Sequence, residues 1–185
     1  MSRLAELQPS EMSAAQRKVH DDIMSGPRAK VMNGFPPLFQ PWLRSPDLAD
    51  HAQRLGAFVR LESSLPPHIS EFAILITARH WRCAYEWATH APIAQRAGID
   101  PTTIADIAAD RRPAFADPQL AAVYDFCIEV HERRFVSDET FTKALDFFDE
   151  RGLVELVAVL GYYTLAAMTL NTFEMGHDAK APWLE

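Results

Sequence analysis

The chain has 185 residues, enough for one domain of ordinary size whose core needs no covalent staples. Hydrophobic residues make up 48% and charged residues 23%, a globular composition that excludes an intrinsically disordered chain. Acidic residues outnumber basic ones by 25 to 18, giving a formal net charge of −7 with no basic cluster to offset it, which argues against a nucleic-acid partner; two cysteines exclude a disulfide framework and suit a reducing compartment.

Residues 1–9 carry Arg3, Glu6 and Gln8 and no apolar run of signal-peptide length, so a cytoplasmic location is expected. The first helix is predicted over 13–25. Ser13 with Gln16 fits a capping box, and Gly26-Pro27 closes the segment. Residues 34–46, GFPPLFQPWLRSP, follow. Four prolines oppose a regular helix there, while Phe35, Leu38, Phe39 and Trp42 are too apolar to lie in water. An extended arm results, packed on its own subunit, lapped over a neighbour or closed over a pocket. Further helices are predicted over 46–62, 68–97, 101–109, 118–134, 138–150 and 152–173. Asp100-Pro101 and Asp117-Pro118 each place a capping acid before a proline at the first helical position, and Ser137 precedes an acidic first turn at Asp138 and Glu139. No run of period-2 alternation marks a strand. The fold class is all-α, a single domain over 1–185 with an N-terminal arm over about 1–46.

The uncharged stretch 156–170 falls short of the roughly 20 residues a membrane span requires and has acidic rather than basic residues just upstream. It reads as a buried helix at the core or at a subunit contact, with no membrane expected. A weak internal repeat pairs Pro46-Asp47-Leu48-Ala49 with Pro118-Gln119-Leu120-Ala121, and Ile69-Ser70-Glu71-Phe72 with Leu153-Val154-Glu155-Leu156. The second copy is the longer one. Two helical hairpins would suit a duplicated bundle.

The chemistry concentrates between Glu71 and Gly98. Residues 72–78 are apolar almost all round, which means burial on most faces. Polar groups then arrive together: Arg79, His80, Arg82, Cys83, Glu86 and His90. On one continuous helix Cys83, Glu86 and His90 stack on a single side, bringing a thiol, a carboxylate and an imidazole to one patch. A carboxylate one turn from a histidine favours the imidazolium, and each can orient the other for proton transfer. Trp81, Tyr85 and Trp87 interleave with these groups, as in the wall of a substrate pocket, although a solvated Glu–His pair is the ordinary alternative. Pro92 removes the amide that would bond the Ala88 carbonyl and is expected to kink or end the helix just past His90. Glu71 lies about 18 Å from Cys83 on a straight helix. It reaches the site only if the helix breaks between them or another subunit supplies it.

Glu71, eleven residues, Cys83, two residues, Glu86, three residues, His90 resembles the alkylhydroperoxidase D motif Glu-x11-Cys-x2-Cys-x3-His, with Glu86 where that motif has its second cysteine. The run from Glu86 through His90 to Ala97-Gly98-Ile99 is similar to that of carboxymuconolactone decarboxylases. The arm and Leu160-Gly161-Tyr162-Tyr163…Leu170-Asn171 are similar to a long, uncharacterised branch of the same superfamily. The resemblance covers most of the chain. It implies an alkylhydroperoxidase D-like helical bundle and a homo-oligomer, trimers and hexamers being typical. It also carries catalytic roles onto Glu71, Cys83, Glu86 and His90.

Two enzyme classes follow from it, and a non-catalytic oligomeric protein is the third reading. The first is a decarboxylase-like enzyme using Glu86 and His90 as an acid–base pair on a small carboxylated or lactone-like metabolite. The second is a thiol peroxidase using Cys83. A Cys-x2-Glu site forms no local disulfide, and the other thiol, Cys127, falls on a different predicted helix. His80, His131 and His177 show no metal-ligand spacing, and the seven glycines form no phosphate-binding loop. No metal and no cofactor are expected.

Overall fold

The structure, a computed structural model, describes residues 2–27, 29, 34–176 and 178–184. His177 lies outside the described residues. Among the described residues nine α-helices carry the fold and there is no strand: α1 (Ala14–Ser25), α2 (Phe39–Trp42), α3 (Pro46–Leu61), α4 (Pro67–His80), α5 (Ala84–Arg96), α6 (Pro101–Ala108), α7 (Pro118–Ile128), α8 (Asp138–Leu145) and α9 (Glu150–Phe173).

The starts are where capping chemistry puts them. Ser13 accepts from the Gln16 amide and Gln16 reciprocates, while Asp100, Asp117, Ser137 and Asp149 each accept an amide of the following first turn. Two ends differ from expectation. The last turn of the segment 118–134 is π-helical, over Glu129–Arg133, and Arg134 leaves it in the left-handed region at φ 61°. The segment at 138–150 stops at Leu145, and Glu150 already belongs to α9.

The proline-rich arm forms one helical turn after all, α2. Pro41 sits among the first positions of that turn, where a backbone amide has no intrahelical partner, so its missing N–H removes no bond. The arm packs on its own chain. Leu38, Phe39, Trp42 and Leu43 are buried, the Trp42 indole donates to Thr169 Oγ1 at 3.0 Å, and Phe39 and Trp42 meet edge to face.

α4 and α9 lie against each other at the centre of one continuous core that runs from Met12 to Ala181. α3 packs on α9 and α7 packs on α4, the reciprocal contacts that two copies of a hairpin would make. α8 lies within the longer of the two segments that the sequence pairs. By length and composition α9 could cross a bilayer, but 61% of its most apolar window is buried in this protein, the pattern of a core helix in a soluble helical domain. The large apolar residues left exposed along it, Val154, Val157, Leu165 and Met168, form a stripe at helical spacing.

Candidate active site

The single helix expected over 68–97 is two. α4 ends at His80, Trp81 is still helical, Arg82 turns left-handed at φ 48°, and Cys83 caps α5. The Arg82 amide returns to the Arg79 carbonyl at 3.0 Å and the Cys83 amide to the Ala78 carbonyl at 2.8 Å, the paired bonds of a Schellman motif. Glycine is the usual residue at the left-handed position. Arginine there costs roughly 1–2 kcal/mol and gives the sequence no stop signal. Of the two outcomes expected at Pro92, an end of the helix does not occur: α5 runs through it to Arg96, and the one lost amide bond, to Ala88, is tolerated.

The break decides where Glu71 goes. α5 folds back against α4, and Glu71 Oε2 comes to 2.7 Å from His90 Nδ1. On the other side of the ring, Nε2 lies 3.3 Å from Glu86 Oε2, one turn earlier on α5. The three residues are 7%, 5% and 2% exposed for Glu71, Glu86 and His90, so the solvated-pair alternative does not describe them. Burial works to discharge His90. The two carboxylates outweigh it by hydrogen bonding and by charge, and hold the imidazole above its ordinary pKa. With a carboxylate at each nitrogen, the imidazolium form places both of its N–H donors. Tyr163 of α9 closes the cluster, its ring standing edge-on to His90 at 5.1 Å. Only the Gly-Tyr-Tyr string hinted at Tyr163, a polar aromatic on an otherwise apolar core helix.

Cys83 stands at the entry to α5 instead of on its face, 1% exposed, and burial pushes its thiol up to about 12. Cys127 is also buried and its thiol is raised for the same reason. Both cysteines are free. Neither offers a thiolate near neutral pH. Mild peroxide is therefore expected to leave them unlinked; a Cys83–Cys127 disulfide peptide in mass spectrometry would contradict this.

The three aromatic residues expected to line a pocket are spread around the α4–α5 break. The Trp81 indole donates to Thr164 Oγ1 at 3.1 Å, and its carbonyl accepts from Asn171 at 2.7 Å, tying the break to α9. Tyr85 packs against the chain leaving α9, so closely at Gly176 that a Cβ there would overlap the Tyr85 ring. Trp87 is buried and meets Trp183 edge to face at 4.9 Å. Among the described residues no group of three or more His, Cys, Asp or Glu side chains could hold a metal ion. His80 and His131 stack at 4.7 Å without ligand geometry, and burial pushes His131 down to about 4.

Residues 46–129, which include Glu71, Cys83, Glu86 and His90, match the family model of the carboxymuconolactone decarboxylases. Tyr163 and the rest of α9 lie outside the matched residues. Two solved structures share the fold over nearly the whole chain. One is the alkylhydroperoxidase D core of an uncharacterized peroxidase-related protein from Ralstonia eutropha, 19% identical, with a TM-score of 0.75 over 94% of this chain and 90% of that one. The other is a cysteine-to-alanine variant of the debrominase Bmp8 in complex with 2,3,4-tribromopyrrole, 14% identical, with a TM-score of 0.72 over 98% of this chain and 94% of that one. The all-helical alkylhydroperoxidase D-like fold is thereby shown. No curated protein matches the sequence.

Proposed function

We propose that the protein is an acid–base enzyme of the carboxymuconolactone decarboxylase family acting on a small carboxylated or lactone-like metabolite. The observation that carries this reading is the buried Glu71–His90–Glu86 row, in which one imidazole bridges two carboxylates. Glu71, at the shorter distance, fixes the ring and its charge from the Nδ1 side. Glu86, more loosely held at Nε2, is the member free to exchange a proton with a substrate. Glu86 takes a proton from the reacting carbon or hydroxyl, His90 stabilises the charge that changes on Glu86, and the same proton is returned to product. Tyr163 and the buried walls keep water out, which strengthens every charge interaction in the row. The thiol alternative requires an accessible thiolate, and the burial of Cys83 weighs against it. The test is turnover across a panel of small lactones and carboxylated metabolites: the account expects conversion that Glu86→Gln removes and Cys83→Ser only reduces. Conversion lost with Cys83→Ser and kept in Glu86→Gln would assign the chemistry to the thiol.

The partner in this reading, besides substrate, is a second copy of the chain, with trimers or hexamers expected. The exposed stripe Val154, Val157, Leu165 and Met168 adjoins an apolar groove of about 370 Å³ lined in part by Phe58, Val154 and Ala158, and Leu55 and Leu61 on α3 are exposed as well. Light scattering at micromolar concentration should give a particle several times the 20.8 kDa of one chain; a 20.8 kDa particle would contradict it.

A further inference from the structure

The C-terminal segment is bound to the α4–α5 break by a group of interactions that the acid–base row does not use. After the left-handed turn at Glu174 and Gly176, the chain passes over Tyr85, buries Ala181, and sets Trp183 in a short 3-10 turn, Pro182–Leu184, against Trp87. The Arg79 guanidinium carbon lies 5.1 Å from the centre of the Trp183 ring, and Arg82 Nη2 donates to the Trp183 carbonyl at 3.4 Å. The Trp183 indole nitrogen is buried and has no hydrogen-bond partner, and it is the only such side-chain atom among the described residues. A dry N–H donor left unmade is costly, and tryptophan placed this way normally finds an acceptor. Trp42 and Trp81 both do so, on Thr169 and Thr164.

Two guanidinium groups thus meet Trp183, Arg79 over its ring and Arg82 at its carbonyl, beside the unpartnered indole N–H. Arg79 Nε also donates to the Ala108 carbonyl at 2.9 Å, and the largely exposed Asp110 stands 3.5 Å from its guanidinium. Arg82 occupies its place at the cost of a left-handed backbone that glycine would adopt freely, and strain of this sort gathers at binding sites. The position also fits the chemistry next door. Trp87, on which Trp183 packs, lies three residues before His90 on α5, so the cluster borders the acid–base row without belonging to it.

We propose that Trp183, Arg79 and Arg82 form a carboxylate subsite, in which the buried indole N–H and the guanidinium of Arg82 receive the carboxylate of a small substrate whose reacting end faces Glu86. This placement rests on the acid–base reading for its orientation, while the subsite itself is measured by binding alone. Guanidinium and indole donors are suited to a planar carboxylate, and the one cation of the acid–base row, the His90 imidazolium, already has a carboxylate at each nitrogen.

The experiment uses the full-length protein, labelled with nitrogen-15, and follows its four tryptophan indole signals during titration with benzoate, benzamide and inorganic phosphate. The Trp183 signal is identified as the one missing in Trp183→Phe, a substitution that keeps the ring on Trp87. Benzoate is expected to move the Trp183 signal saturably while benzamide does not, and Arg82→Gln should weaken benzoate about tenfold. Calorimetry on Trp183→Phe should show weakened benzoate binding as well, independently of the lost signal. An equal response to benzamide, tighter binding of phosphate than of benzoate, or no saturable shift with any of the three would overturn the proposal. So would unchanged benzoate affinity in both variants. Because none of these readouts involves turnover, an inactive acid–base row and an absent subsite are told apart.

Discussion

Replacing Glu86 by glutamine should lower turnover by about 100- to 10,000-fold, the usual effect of removing a positioned acid or base. Glutamine keeps the size of the side chain and a hydrogen-bonding oxygen near His90 Nε2, but it cannot take up a proton. Glu71→Gln should produce a loss of similar order by a different route. Glu71 holds Nδ1 at 2.7 Å, and its charge supports the imidazolium, so the glutamine variant retains a base at Glu86 beside a histidine that no longer steadies its charge. Cys83→Ser should be milder than either, because a buried protonated thiol at the α5 entry shapes the wall without exchanging protons. Circular dichroism and oligomer size establish that each variant is folded before its rate is compared. The ranking of these variants separates acid–base from thiol chemistry; the absolute rates do not.

Removing the imidazole should have the largest effect on stability. His90→Leu leaves two buried carboxylates facing each other with no group between them, and breaking a buried charge pair in this way costs about 3–5 kcal/mol. That is a large share of the roughly 5–15 kcal/mol by which a domain is stable. The same coupling makes the wild-type protein sensitive to pH in a definite direction. His90 is raised above its ordinary value of 6.5 in the folded state, so its contribution is fully present below pH 6.5 and is lost as pH rises through the folded-state value. Urea unfolding at pH 7 measures the loss in the variant. The wild-type midpoint should fall as the solution is taken from pH 6.5 to more alkaline values, and a midpoint that rises across that window would contradict the raised imidazole.

The helices were legible because their starts are written in the side chains. Ser13, Asp100, Asp117 and Ser137 cap where a hydroxyl or a carboxylate precedes a helical pattern, and the all-α class follows from them and from the missing alternation. The chemistry was legible at Glu86 and His90, whose spacing of four residues survives in any helix. What the sequence concealed is the turn at Trp81–Arg82–Cys83. A helix stop is signalled by glycine because only glycine enters the left-handed region without strain. Here arginine does so, and tertiary contacts meet the cost: the Trp81 indole on Thr164 and the Asn171 amide on the Trp81 carbonyl. Without that turn Glu71 cannot be placed, since its distance from His90 along one straight helix has nothing to do with its distance across two packed ones. Pro92 does not stop α5, because one missing amide bond does not outweigh a helix face packed on α4. The arm at 34–46 was apolar enough to predict burial, but its single turn of helix is permitted only because the proline falls where no intrahelical amide bond is required.

The central claim is that one buried imidazole is held charged between Glu71 and Glu86. The measurement that reaches it most directly is the NMR titration of the His90 ring in the wild-type protein and in Glu71→Gln and Glu86→Gln. The account predicts a wild-type pKa above 6.5 that falls in each variant, further for Glu71→Gln, whose carboxylate is the nearer one. A wild-type value at or below 6.5, or a titration that neither substitution alters, would show that the three groups do not act together.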